Sequence, residues 1–219
     1  MKPDYLRAAI CATETLFAYN IKAAPVMPLP ILKALPDVLV LSFAEMASSL
    51  ELERNVLLQS VNREIHDALS FTAQVNGKFR YFVVYNQYLP LALIQRGLAR
   101  ELGHIILGHD GTRPEDVRTA EAQTFAYHLL CPRAIIRAVQ NSGIRLTTEV
   151  LGNMTGCFER CLAGMRKVPG VEVPAELNGM IHKQFSDYLD NFIDYQQFVS
   201  ASDASQLADF GTYMDNYIE

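Results

Sequence analysis

The chain lacks the features that mark secreted and membrane proteins. Its 219 residues include only four cysteines, Cys11, Cys131, Cys157 and Cys161, which are too few and too scattered for a disulfide framework. No apolar run approaches the roughly 20 residues of a membrane span. The charged start of the chain is not followed by the apolar segment of a secretory signal. The length of the chain predicts one sizeable core. The absences predict buried or incidental thiols and a cytoplasmic location.

Basic residues are scarce as well, and the charge is unevenly spread. The net charge is −5, and residues 184–219 contain seven acids and no Lys or Arg. Without a basic stripe, direct binding to nucleic acid is not expected. The tail also carries aromatic residues at helical spacing, which predicts a helix that either packs on the body or serves as a partner-binding or cleft-covering extension. These aromatic residues are Phe185, Tyr188, Phe192, Tyr195 and Phe198.

The pattern of apolar residues predicts a compact α+β domain. Two β-rich runs, 68–75 and 79–85, flank Asn76-Gly77, a dipeptide suited to a tight hairpin turn. A buried strand is expected at 38–43. The small sheet, antiparallel or mixed, should pack against two long helices, with further helices behind. The helices are expected at residues 4–19, 31–35, 44–57, 90–108, 116–130, 133–141, 148–154 and 156–167.

The sequence of the first long helix approaches a zinc-peptidase signature. Residues 100–108 read Arg-Glu-Leu-Gly-His-Ile-Ile-Leu-Gly, one residue away from His-Glu-x-x-His. On a helix, positions 100 and 104 lie on one face and can share an ion. Glu101, beside them, can take a proton from metal-bound water as general base.

A further ligand is expected from the second long helix. Glu121 lies among small residues, and the loop 110–115 is short enough to return this helix antiparallel to the first. His109, Asp110 and His128 are other candidates with poor geometry. His109 is five residues past His104, about 140° around the helix, and His128 lies two turns along from Glu121.

The two motifs together resemble the ImmA/IrrE metallopeptidases of mobile elements and stress regulators. That family typically shows His-Glu-Leu-Gly-His-x-x-Leu-Gly-His, followed by Glu-Ala-Asn-x-Phe-Ala-x-x-Leu-Leu-x-Pro. Residues 100–109 and 121–132 match this pattern except at Arg100 and Gln123. The resemblance covers roughly residues 1–167. It implies a zincin-like fold and a zinc cofactor, with Glu101 as catalytic base and His104 and Glu121 as metal ligands. It also implies a repressor, of the helix-turn-helix type, as protein partner or substrate.

Arg100 departs from the family pattern, because it stands where the first ligand histidine is expected. A guanidinium keeps its proton and has no lone pair for zinc. The hypothesis is that Arg100 replaces the ion and bridges Glu101 or Glu121. Three functions stay open: a metal-poor regulatory pseudopeptidase, an active zinc endopeptidase that uses a substitute ligand, and a non-catalytic repressor- or DNA-binding regulator.

The remaining expectations concern organisation and binding. Residues 1–170 are predicted to form the peptidase-fold domain, and residues 171–219 an acidic, aromatic helical extension. One edge of the 68–85 hairpin is a candidate for pairing with an extended peptide.

Overall fold

The structure is a computed structural model that describes residues 1–49, 67–75, 77–157 and 170–215, with side chains described as far as residue 202. Nine helices and three strands are present within these ranges. The helices are α1 (Tyr5–Ala18), α2 (Pro28–Ala34), α3 (Phe43–Ser49), α4 (Leu91–Ile106), α5 (Glu115–Leu130), α6 (Arg133–Asn141), α7 (Thr148–Thr155), α8 (Ala175–Gln184) and α9 (Ser186–Asp215). The strands are β1 (Val38–Ser42), β2 (Ala68–Val75) and β3 (Lys78–Tyr85).

The sheet is mixed, and its order is β1-β3-β2. β2 and β3 form the predicted antiparallel hairpin, and Gly77 at its turn has a φ of 78°, a conformation that glycine adopts without a steric penalty. β1 pairs with β3 in parallel. Of the two sheet types that the sequence left open, the structure therefore shows the mixed one, with β2 as an edge strand.

Helices α4 and α5 pack against each other and hold the residues of both sequence motifs. Their close approach depends on Gly103, where an added Cβ would lie 3.0 Å from the Phe125 ring and 3.2 Å from the Ala122 carbonyl oxygen. α1 crosses α5, and β2 contacts α4. The small residue at 103 thus lets the two motif helices meet, with the sheet edge beside them.

Most predicted elements are confirmed, and some boundaries differ. α2 starts at Pro28, three residues before the prediction, because a proline is compatible with the first turn of a helix. The predicted helix 44–57 is observed as far as Ser49, and its remainder lies outside the described residues. Most of the predicted helix 156–167 lies outside them too, as does Cys161. Cys11, Cys131 and Cys157 form no disulfide within the described residues.

The C-terminal part is helical, and its first turns join the main core. Ile181, Phe185 and Leu189 belong to the same cluster of buried residues as Leu16 and Phe125. Tyr195 and Phe198, farther along α9, are exposed. The division of the chain at residue 170 stays a prediction. None of the described helices is long and apolar enough to cross a membrane.

His128 gives the core a predicted sensitivity to acid. It is 4% exposed, and burial, together with the charge of Arg133, lowers the pKa of its imidazole to about 4. The folded protein therefore keeps His128 neutral, while the unfolded chain takes up a proton below about pH 6.5. The contribution of His128 to the free energy of unfolding is therefore fully present above that pH. It falls by roughly 2–3 kcal/mol as the pH drops toward 4.

Urea unfolding at neutral pH and near pH 4.5 measures this loss. His128→Met should reduce the acid-induced loss, whereas the same substitution at the exposed His182 should leave it as in the wild type. Equal acid sensitivity in the wild type and His128→Met would contradict the assignment.

Candidate functional site

The last residues of α4 and the glycine that follows them determine where the His109 side chain lies. Gly108 has a φ of 65°, its amide donates to the Ile105 carbonyl, and the His109 amide donates to the His104 carbonyl at 3.0 Å. This pair of hydrogen bonds is the Schellman arrangement that ends helices at glycine. Because α4 has already ended, His109 does not lie 140° around the helix from His104. The angle expected for His109 was therefore wrong, while its suitability as a metal ligand stays a prediction.

Arg100 lies at the centre of an ion-pair network between α4 and β2. Its Nη2 lies 2.8 Å from Glu101 Oε1, 2.7 Å from the Ala68 carbonyl oxygen and 3.3 Å from Asp67 Oδ1. Its Nε lies 3.1 Å from Glu101 Oε1. Arg96 binds the same Asp67 carboxylate at 2.8 Å. Of the two acids that the hypothesis proposed for Arg100, it pairs with Glu101 and not with Glu121.

Glu101 is enclosed, and both of its oxygens accept hydrogen bonds. Oε1 faces Arg100, and the Ser70 hydroxyl on β2 donates to Oε2 at 2.5 Å. The residue is 4% exposed. Burial raises the pKa of this carboxyl above its ordinary value, although Arg100 and Ser70 oppose the shift. The predicted catalytic base is thus already held by a cation and a hydroxyl.

Glu121 lies on the other side of the site, and three donors bind it. His109 Nε2 lies 2.9 Å from Oε2, Arg113 Nη1 lies 3.0 Å from Oε2, and the Asp4 amide donates to Oε1 at 2.8 Å. Burial opposes ionisation, but the Asp4 amide, His109 and Arg113 together hold the pKa of the Glu121 carboxyl below its ordinary value. Glu121 is therefore an ionised and fully bound carboxylate.

His104 reaches Glu121 only through His109. The Nδ1 atoms of the two imidazoles lie 2.9 Å apart. Because His109 Nε2 must donate to the carboxylate, the Nδ1 of a neutral His109 is an acceptor, and the hydrogen-bond network assigns the donating proton to His104 Nδ1. Burial, then His109, Arg100 and Arg118, lower the pKa of His104 to about 4. His104 is neutral at pH 7, with the lone pair of Nε2 left over.

Arg100, Glu101, His104 and His109 border a cleft of about 540 Å³ between β2, α4 and the start of α5. One side is the edge of β2. Since the Asn86 amide donates to the Asp67 carbonyl oxygen, residues 67, 69 and 71 direct their backbone groups toward β3. Ala68, Ser70 and Thr72 therefore direct theirs to the open edge, where Arg100 binds the Ala68 carbonyl. The cleft is thus a polar groove beside a strand that lacks a neighbour within the described ranges.

The residues at the matched positions do not fit a zinc ion. A catalytic zinc takes three protein ligands, but both oxygens of Glu101 and of Glu121 are engaged, and Arg100 has no lone pair. The ring nitrogens of His109 point apart, so one ion cannot bind both. Of the ring nitrogens of His104 and His109, only His104 Nε2 has a lone pair that no hydrogen bond of this network uses. Across the part of the chain that the structure describes, no three His, Cys, Asp or Glu side chains are arranged to hold a metal ion.

The structure brings the sequence-predicted residues to one cleft but not to one centre. Arg100, Glu101 and His104 line it, and Glu121 joins through His109. Asp110 lies at the exposed rim, while His128 borders a different, small cavity with Thr13 and Ile181. The roles given to Glu101, His104 and Glu121 as base and ligands stay predictions.

Several participants were not anticipated from the sequence, among them Asp67, Ser70 and Arg113. Asp67 and Ser70 come from β2 or its start and carry no motif. Arg113 lies in the loop between the two motifs, and its charge next to Glu121 was not considered. One signal was available for His109, because glycine at position 108 indicates a helix end and therefore a redirected side chain.

Comparison with known proteins gives one family. The model of the IrrE N-terminal-like domain matches residues 51–154. The search of curated proteins and the search of solved structures each found no significant match. The matched range contains β2, β3, α4 and α5 with both motifs, which agrees with the resemblance inferred from residues 100–109 and 121–132. Residues 51–154 therefore belong to an IrrE N-terminal-like metallopeptidase-family domain; that family is zinc-dependent, and its fold is zincin-like.

Proposed function

We propose that this protein is a regulatory pseudopeptidase, which binds a segment of a protein partner in its cleft and does not hydrolyse it. The observation that carries the proposal is the Arg100 guanidinium, bonded to Glu101 and Asp67 where the family has a ligand histidine. This cation neutralises the general-base position and excludes a second cation beside it. Such an arrangement keeps the buried acids paired without an ion.

The edge of β2 supports the binding part of this proposal. Ser70 and Thr72 direct their backbone groups to the cleft, and an extended peptide can add a strand by hydrogen bonding to such an edge. The family resemblance suggests the setting, a stress response or a mobile element, and a helix-turn-helix repressor as the partner. In this scheme the protein controls the repressor by holding it.

The alternative is an active zinc endopeptidase with His109 as the substitute ligand. In its favour, the rings of His104 and His109 are in contact, and His109 reaches Glu121 at 2.9 Å. Metal binding there would require His109 to give up one of its two hydrogen bonds and Glu121 to be released from Arg113. DNA binding has less support, because exposed Arg137 is paired with Glu172.

Metal analysis separates the two leading functions. After exposure to zinc and desalting, we expect the purified protein to retain well below one equivalent, with no dependence on His104. The controls are His104→Ala and, as a matched surface change, His182→Ala. One full equivalent of zinc that is lost in His104→Ala and kept in His182→Ala would overturn the pseudopeptidase proposal and favour the active peptidase.

A further inference from the structure

Arg118 is a cation in the cleft and has no acidic partner among the described residues. It lies in the first turn of α5, and its Nε donates to the Arg113 carbonyl oxygen at 3.1 Å. That bond holds the guanidinium in place, while its Nη1 and Nη2 groups make no hydrogen bond to any described residue. The side chain is half-buried and borders the same cleft as the β2 edge. A positioned guanidinium with free N–H groups is suited to a planar carboxylate.

Arg100 offers further donors to the same cleft. Its Nε and Nη2 are used for Glu101, Asp67 and Ala68, whereas its Nη1 is not engaged by any residue that the structure describes. The side chain is 28% exposed. Arg100 and Arg118 both lower the pKa of the His104 imidazole, as expected for two cations near it.

The buried acids near the cleft are already paired with cations other than Arg118. Arg96 and Arg100 face Asp67 and Glu101, and Arg113 faces Glu121. His104 and His109 are neutral at pH 7, because burial lowers the pKa of each imidazole. Arg118 forms no ion pair with any residue that the structure describes. The nearby acids Asp110 and Glu115 are exposed at the rim, and Asp110 already accepts two hydrogen bonds from Thr112.

We propose that the segment bound by the cleft is an acidic extended peptide, with one Asp or Glu side chain between Arg118 and the free Nη1 of Arg100. The peptide backbone would pair with the β2 edge at Ser70 and Thr72, and the carboxylate would set its register. This inference rests on the proposed peptide-binding function and adds the chemistry of the ligand. A cleft of about 540 Å³ is large enough to hold a short stretch of chain.

The test selects random heptapeptides displayed on phage against the full-length protein. Binders are then synthesised with the acidic residue kept or changed to Gln, and their affinities are measured by fluorescence anisotropy. We expect an Asp or Glu at one position of the selected peptides. Arg118→Gln should weaken the acidic peptide about 10-fold, since a hydrogen bond to a charged group is lost, and should leave the Gln peptide unchanged.

Arg145→Gln is the matched control, because Arg145 is exposed outside the cleft and makes no ion pair with the described residues; it should change neither affinity. Selection of peptides without an acidic position, or equal loss of both peptides in Arg118→Gln, would overturn the acidic-ligand inference while peptide binding stands. If no peptide binds the wild type, the proposed function fails as well.

Discussion

Arg100→Met should destabilise the protein by about 3 kcal/mol, the low end of the range for breaking a buried ion pair. The substitution leaves Glu101 without a cation and leaves Asp67 with Arg96 alone, although both acids are nearly inaccessible to water. The low end applies because the Arg100 side chain is partly exposed, so its guanidinium is only partly desolvated. Thermal unfolding should shift down by roughly 6–12 °C for a chain of this size.

The matched control is Arg137→Met, which breaks the ion pair between Arg137 and Glu172, both exposed. That pair should contribute at most about 1 kcal/mol. Urea denaturation of the two variants at pH 7 measures the difference. If Arg100→Met were no more destabilising than Arg137→Met, Arg100 would not be compensating the buried acids, and the charge-replacement account would fail.

Restoring the zinc site should take two substitutions. Arg100→His supplies the missing ligand, but Arg113 still binds Glu121 at 3.0 Å and would lie close to any ion there. At an intermediate effective dielectric, one positive charge about 5 Å from a dication costs several kcal/mol. We therefore expect Arg100→His alone to bind zinc weakly, and Arg100→His with Arg113→Gln to bind it at least about 10-fold more tightly.

Competition with a chromophoric chelator gives both zinc affinities. Arg137→Gln in the Arg100→His background controls for the removal of a surface charge and should leave the affinity unchanged. Equal zinc affinity with and without Arg113 would show that its charge does not reach the site. If the double variant bound no zinc, the cause would be His109. Its imidazole lies between His104 and Glu121, and neither substitution displaces it.

Local patterns predicted most elements of the site region. The hairpin followed from two β-rich runs around Asn76-Gly77, and the two motif helices from apolar periodicity ended by glycine or proline. The close approach of these helices also follows from a local feature, the small residue at 103. The parallel pairing of β1 with β3 does not, because Val38 and Tyr81 are 43 positions apart and no local pattern relates them.

Side-chain partners were predictable only where the two residues are neighbours in sequence. Arg100 and Glu101 are adjacent, and their ion pair was one of the two alternatives expected for Arg100. Asp67 is 33 positions away from Arg100, and Asp4 is 117 positions from Glu121, so no spacing rule relates them. The angle between His104 and His109 was misjudged, because it was calculated for a helix that continues through both residues. Gly108, in the left-handed region, ends that helix before His109.

The sequence by itself determined that the chain has a peptidase-type pair of helices and that a guanidinium stands at a ligand position, since both depend on residue type and short spacing. Only the tertiary structure decided how the acids of the site are satisfied. Hydrogen bonds and ion pairs depend on distances of about 3 Å between atoms from β2, the α4–α5 loop and the N-terminal residues, and those distances exist only once the core has packed.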